Sequence, residues 1–193
     1  MDKEIAILGG SFNPPHLGHR MLAEKIVSSK SVSKLIIIPI NNNPLKVNHK
    51  RLDCLSRLVV ATFQGIRETK IDWFNFYNKK VAYTIEDLTR LRSVYDIKYK
   101  LVLYIGSDLW GSFGEWKKAD EIINLAKVVV VERVGWEIDK KRKKANSPNV
   151  MRWGIPKISS QELVSKPKDI NFWSKYIVNE AFSILDKERR EYI

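Results

Sequence analysis

Ile5-Ala6-Ile7-Leu8-Gly9-Gly10-Ser11-Phe12-Asn13-Pro14-Pro15-His16-Leu17-Gly18-His19 is the stretch on which the reading turns. Four consecutive apolar residues rich in β-branched side chains predict a strand buried on both faces. Gly9 and Gly10 follow, a pair that permits a sharp turn and lets backbone come close to a phosphate. Pro14 and Pro15 stiffen the path into a helix whose first-turn N–H groups point toward the same place. His16 and His19, three residues apart, share one face of that helix, where two imidazoles can donate to phosphate oxygens. The spacing is neither the G-x-G-x-x-G dinucleotide fingerprint nor a P-loop, since no Gly-Lys-Ser/Thr follows. A metal site is a poor fit, because His49 is the one further histidine of the chain; the site set carries no metal ligands.

The same pattern repeats outward from this stretch. Leu35-Ile36-Ile37-Ile38, Leu101-Val102-Leu103-Tyr104-Ile105 and Val128-Val129-Val130-Val131 are further short, continuous apolar runs. Between them lie helical patterns: 17–29, with Leu17, Met21, Leu22 and Ile26 on one stripe; 51–66, with Leu52, Leu55, Val59 and Phe63; a helix through about residue 95, opened by Thr84 with Asp87 in a capping arrangement; and 120–126. A last helix is expected around Phe172 to Leu185. Strands alternating with helices imply right-handed βαβ units in a doubly wound parallel α/β sheet, which binds ligands at the carboxyl ends of its strands. Chemistry is therefore expected just after Leu8, Ile38, Ile105 and Val131.

Length and composition agree with one domain spanning 1–193, with a C-terminal helical part from about 159 packed on it. The 44% hydrophobic and 29% charged content is ordinary for a globular chain and excludes a disordered tail, a fibrous repeat or a coiled coil. No apolar run is long enough for a transmembrane helix, and the N-terminus is too short and glycine-interrupted for a signal peptide. Cys54, alone, forms no internal disulfide and reads as a small core residue. A cytoplasmic protein is expected. The formal net charge of +12 attracts anions without choosing among nucleotides, nucleic acid and membranes. The segment 133–149, with its Lys- and Arg-rich run at 137–144, reads as an exposed basic loop.

Two glycines, two prolines and both histidines directly after the first strand resemble the signature of the nucleotidyltransferases that carry an H-x-G-H motif. More narrowly they resemble the bacterial nicotinate-nucleotide adenylyltransferases. Further blocks resemble that family in its own order. These are Pro39 with Asn43-Pro44-Leu45-Lys46; Arg51 through Arg57; Tyr83-Thr84-Ile85-Glu86-Asp87-Leu88; Ile105-Gly106-Ser107-Asp108-Leu109 with Phe113 and Trp116; Glu132-Arg133; and Ile158-Ser159-Ser160. The resemblance implies a Rossmann-like nucleotidyltransferase fold that transfers AMP from ATP to nicotinate mononucleotide, forming deamido-NAD and pyrophosphate in NAD biosynthesis. Mg²⁺ would be carried by the ATP phosphates.

By the same resemblance His16, His19 and Lys46 are the catalytic residues. Gly9, Gly10, Ser11, Phe12, Gly18, Gly106, Asp108, Ile158, Ser159, Ser160 and Lys166 meet ATP, and Asn13, Lys46, Tyr83, Thr84, Trp116 and Arg133 meet the pyridine mononucleotide. Each has a structural rival: Asp108 as a helix cap, Trp116 as core, Arg133 as plain surface. Three departures stand out. Val164 occupies the place of the family's phosphate-binding arginine, with Lys166 as a candidate replacement; Leu45 replaces a histidine; and Asp72-Trp73-Phe74-Asn75-Phe76-Tyr77 is unusually aromatic. Nicotinamide mononucleotide or another phosphorylated acceptor is the near alternative. A nucleic-acid-binding protein on the same sandwich is the distant one, disfavoured by scattered basic residues and the lack of an RNA-recognition motif. A homo-oligomer is compatible with the apolar residues of the last helix.

Overall fold

The computed structural model describes residues 3–42, 44, 54–78, 80–136, 138, 149–166 and 168–188. Among these residues six strands form one sheet with every strand pair parallel: β1 (Glu4–Gly10), β2 (Val32–Pro39), β3 (Thr69–Ile71), β4 (Lys100–Gly106), β5 (Lys127–Arg133) and β6 (Asn149–Ile155). Their spatial order is β3-β2-β1-β4-β5-β6, so the direction of winding reverses between β1 and β4. This is the doubly wound, Rossmann-like order.

Each apolar run feeds both faces of the sheet, which is why it reads as continuous. Ala6, Leu8, Leu35, Ile37, Val102, Tyr104, Val129 and Val131 face one core. Their neighbours Ile5, Ile7, Ile36, Ile38, Leu101, Leu103, Ile105, Val128 and Val130 face the other. The first core is covered by α1 (Leu17–Val27), α2 (Leu55–Phe63) and the C-terminal helices α8 (Ile170–Tyr176) and α9 (Asn179–Glu188). The second is covered by α4 (Thr84–Val94) and α6 (Ala119–Leu125). The short helices α3 (Phe74–Tyr77), α5 (Ser107–Trp110) and α7 (Ser160–Val164) and a 3₁₀ turn at Phe113–Glu115 sit in the connections. Arg20 of α1 ties two elements together by donating to the carbonyls of Thr62 and Gln64, at 2.8 and 3.3 Å, where α2 ends.

Three expectations are corrected. The last helix is two helices, because the chain turns extended at Ile177 (φ −103°, ψ 139°) so that both Trp173 and Leu185 reach the core. Thr84 does not cap α4: Tyr83 holds the N-cap position, and the Asp87 carboxylate is taken up by Asn75 and Arg90. The segment 133–149 is not wholly loop, since β5 runs through Arg133 and β6 begins at Asn149. The basic run 137–144 falls outside the described residues except for Ile138.

Candidate active site

Backbone pairing between β1 and β4 ends at Leu8 opposite Tyr104, two residues before each strand stops. A cleft of about 380 Å³ opens there, between Gly10 and Gly106, lined by residues from both strand ends, α1, α4, the turn after β4 and the end of β5. It stands at the switch point where an open α/β sheet binds its ligand.

The first wall is the turn after β1. Phe12 has φ +46°, a left-handed backbone that a bulky residue adopts only under constraint. The constraint is its buried ring, edge-on to His19 at 4.9 Å and to Phe63 at 5.4 Å between centroids. The ring folds back so far that a Cβ on Gly10 would lie 3.0 Å from it, so any side chain at that position would crowd the ring.

His16 is the N-cap residue of α1, extended at φ −144°, and its N–H donates to His19 Nδ1 at 3.1 Å. An accepting Nδ1 puts the proton of the neutral His19 ring on Nε2. The two imidazoles stack at 3.7 Å, and both line the cleft. Gly18 lies beneath them. A Cβ there would be 3.1 Å from the His16 ring and 3.3 Å from Ile158 Cγ2, so α1 carries a glycine despite its cost to the helix.

The second wall follows β4 and β5. Arg133 donates to Asp108 Oδ2 at 3.0 Å and to the Ile158 carbonyl, while its backbone N–H donates to Ser107 Oγ at 3.0 Å. Asp108 does not cap a helix; its Oδ1 is buried without a hydrogen-bond partner among the described residues. A Cβ on Gly106 would collide with that oxygen. Ser160 Oγ reaches across to the Pro14 carbonyl at 2.8 Å, closing this wall against the start of α1.

The third wall is aromatic. Trp116 leans on Phe113 at 5.3 Å and faces the cleft with Tyr83 and Thr84. Its indole Nε1 is buried with no partner among the described residues. Lys117 lies 4.1 Å from the Tyr83 ring centroid and pairs with Glu86 at 2.7 Å, bridging the 3₁₀ segment and α4.

Sequence reasoning missed Asp87, a buried carboxylate that also lines the cleft. Asn75 donates to its Oδ2 at 2.7 Å and Arg90 to its Oδ1 at 3.1 Å, and Arg90 also pairs with Asp72 at 2.8 Å. Burial pushes the Asp87 carboxyl up to about 6, although the Arg90 and Asn75 hydrogen bonds pull the other way. The signals near it were the aromatic stretch at 72–77 and the Tyr83–Leu88 block, in which Asp87 reads as a capping residue.

Of the expected site residues, the cleft gathers Gly9, Gly10, Ser11, Phe12, His16, Gly18, His19, Tyr83, Thr84, Gly106, Asp108, Trp116, Arg133 and Ser160. Asn13, Ile158 and Ser159 do not line it: Ile158 packs behind through its carbonyl bond to Arg133, and Ser159 caps α7 by accepting from the Glu162 N–H at 3.0 Å. Lys166 is turned away, its ammonium 4.0 Å from the Phe172 ring centroid and 3.7 Å from Glu162. Val164 is exposed at the end of α7, apart from the cleft lining. Lys46, like Leu45 and Arg51, lies outside the described residues.

The sequence profile of the cytidylyltransferase-like family matches residues 7–165. The chain belongs to that family. A curated relative of Aquifex aeolicus, named "Probable nicotinate-nucleotide adenylyltransferase", is 36% identical over 131 residues, 67% of this chain and 77% of its own length. One of the same name from Borrelia turicatae is 30% identical over 191 residues, 98% of this chain and 84% of its own. Among solved structures, the Plasmodium falciparum nicotinic acid mononucleotide adenylyltransferase complexed with NaAD superposes with a TM-score of 0.79 at 20% identity, covering 96% of this chain and 95% of that one. This last likeness speaks for the nucleotidyltransferase fold. No helix among the described residues is long and apolar enough to cross a membrane.

Proposed function

We propose that this cytidylyltransferase-like chain transfers the adenylyl group of MgATP to nicotinate mononucleotide, releasing pyrophosphate and forming deamido-NAD. The observation that carries the reading is the stacked His16–His19 pair at the start of α1, facing Trp116 across the β1–β4 cleft. The named activities of the relatives support it.

A phosphate oxygen of the acceptor attacks the α-phosphorus; the bond to the bridging oxygen breaks and pyrophosphate leaves with the electron pair. The nucleophile is already ionised, so no general base is required, and the protein's work is positioning and charge stabilisation. His16 and His19 bind the ATP phosphates, with His19 Nε2–H as a donor to negative charge that grows on the pyrophosphate in the transition state. Gly9, Gly10, Ser11 and Gly18 let the phosphates approach the backbone and the N-terminus of α1. Lys46 adds positive charge. Asp108 Oδ1 accepts from a ribose hydroxyl of ATP, and Trp116 stacks on the pyridine ring beside Tyr83 and Thr84.

Mg²⁺ would arrive with the ATP phosphates and supply charge neutralisation there, with no protein cage of its own. This reading fits a cleft whose phosphate end offers imidazoles and N–H donors. Soluble nucleotide substrates are in keeping with a cytoplasmic reaction. Residues 1–193 act as one domain, in keeping with Trp173, Ile177 and Leu185 sharing the core of β1 and β2, so unfolding should be a single transition.

The test is pyrophosphate release with MgATP and, in parallel, nicotinate mononucleotide, nicotinamide mononucleotide or phosphopantetheine. Turnover with the nicotinate form at least tenfold above the others is expected. Turnover with phosphopantetheine alone overturns the reading.

A further inference from the structure

We infer that Arg133 is a positioning residue for the ATP half of the cleft, aiming the Asp108 carboxylate and the 158–160 turn, and does not grip the acceptor. The inference rests on the reading above, in which Asp108 meets the ribose of ATP.

The guanidinium is committed in two directions. One terminal nitrogen donates to Asp108 Oδ2 at 3.0 Å and the other to the Ile158 carbonyl, while the backbone N–H is held by Ser107 Oγ. A planar fork can span two acceptors in fixed directions, which a lysine ammonium cannot. Asp108 neutralises the charge, so an acceptor phosphate would have to compete with an ion pair already made.

The consequences fall on the ATP side. Fixing Oδ2 leaves Oδ1 as the presented acceptor, buried and unpartnered among the described residues, and an ionised carboxylate oxygen can only accept. A ribose hydroxyl is the donor it lacks. Gly106 completes the arrangement: a Cβ would collide with Asp108 Oδ1 and sit 3.2 Å from Arg133 Cδ, so the ion pair can lie over the end of β4 only above a glycine. Holding the Ile158 carbonyl fixes the turn that sends Ser160 Oγ to Pro14 and Ile158 Cγ2 against Gly18, beneath the His16 ring. The links Asp108, Arg133, Ile158, Ser160 and Pro14 thus run from the end of β4 to the helix that carries both histidines.

The experiment compares kcat/KM for ATP, 2′-deoxy-ATP and 3′-deoxy-ATP in the wild type, Asp108→Asn, Arg133→Lys and Gly106→Ala, with the KM for nicotinate mononucleotide measured alongside. Wild-type enzyme should prefer ATP over at least one deoxy analogue by about ten- to a hundredfold, the worth of a hydrogen bond to a buried charge. Arg133→Lys should lose most of that preference while the acceptor KM stays within about twofold. Gly106→Ala displaces the carboxylate with Arg133 still present and should lose it too, so the inference can be tested even where Arg133→Lys folds poorly. A full preference in Arg133→Lys together with an acceptor KM raised tenfold overturns it and makes Arg133 an acceptor-binding residue. A full preference in Asp108→Asn instead overturns the ribose role of Asp108, the reading on which the inference rests.

Discussion

The imidazoles of His16 and His19 lie 3.7 Å apart, inclined by 23°, and the same helical turn that stacks them makes the His16 N–H a donor to His19 Nδ1. The His19 ring is thus oriented by the backbone of the residue it stacks upon. His19→Ala removes both the Nε2–H donor and an N-terminal cap. Turnover should fall about 10²–10³-fold, as on removal of one transition-state donor, with about 1 kcal/mol of stability lost. His19→Gln separates the two effects, because glutamine at this helical position can still accept from the N-cap N–H. Its melting temperature should stay near wild type while turnover remains low, measured by pyrophosphate release and thermal denaturation.

Gly18 tests whether the ring pair depends on the space beneath it. Alanine is the better helix former by roughly 1 kcal/mol, so stability alone would favour Gly18→Ala. The new methyl would press on the His16 ring at 3.1 Å. Turnover should drop about tenfold with little change in melting temperature. Gly111→Ala, where a Cβ meets nothing within 4 Å and the residue is outside the cleft lining, is the control and should keep full turnover. Equal rates in the two variants would remove Gly18 from the site.

The legible parts of this protein are those whose physics is local. The runs around Ile36, Leu103 and Val129 are buried on both faces and so are apolar without interruption, and β2, β4 and β5 could be read directly. β3 is the three residues Thr69-Lys70-Ile71, and β6 carries Arg152 and a positive-φ Gly154. These are the two edge strands, paired on one side only, and no apolar run betrays them. The histidine turn is a contiguous motif, hence readable. The partners of Arg133 lie 25 residues away on either side, and the Asp72–Asn75–Asp87–Arg90 cluster joins ordinary polar residues of separate elements. Only the fold brings such groups together.

Trp116 carries two separable properties, a stacking face and an indole N–H that is buried without a partner among the described residues. Trp116→Phe keeps an aromatic face and deletes the indole donor, which costs little because no described residue answers it. The KM for nicotinate mononucleotide should remain within about threefold and the stability should hold. Trp116→Ala removes the face and should raise that KM about ten- to a hundredfold, the range for one stacked base, leaving the KM for ATP unchanged. A rise in the ATP KM instead would move Trp116 to the other half of the cleft.

Asp87 gives the fold an unusual pH dependence. Its carboxyl, pushed up to about 6 by burial, holds a proton more tightly in the folded chain than in the unfolded one, where the value is 3.8. Between those values the folded state binds the extra proton, so this group's contribution to stability grows as pH falls through 6 and is absent above it. Most native carboxylates that sit in ion pairs act in the opposite sense. Of the groups that face it, Arg90 and Asn75 temper the effect without reversing it, because desolvation is the largest influence, and the Asp72 charge adds to it. The difference in unfolding free energy between wild type and Asp87→Asn should move in favour of wild type by on the order of 1 kcal/mol from about pH 7 to about pH 5. Denaturant midpoints for both proteins at the two pH values measure it, and the difference cancels the titration of every other group. A difference that stays flat, or that moves toward the variant as pH falls, would mean that the Arg90 and Asn75 hydrogen bonds outweigh burial and keep Asp87 ionised.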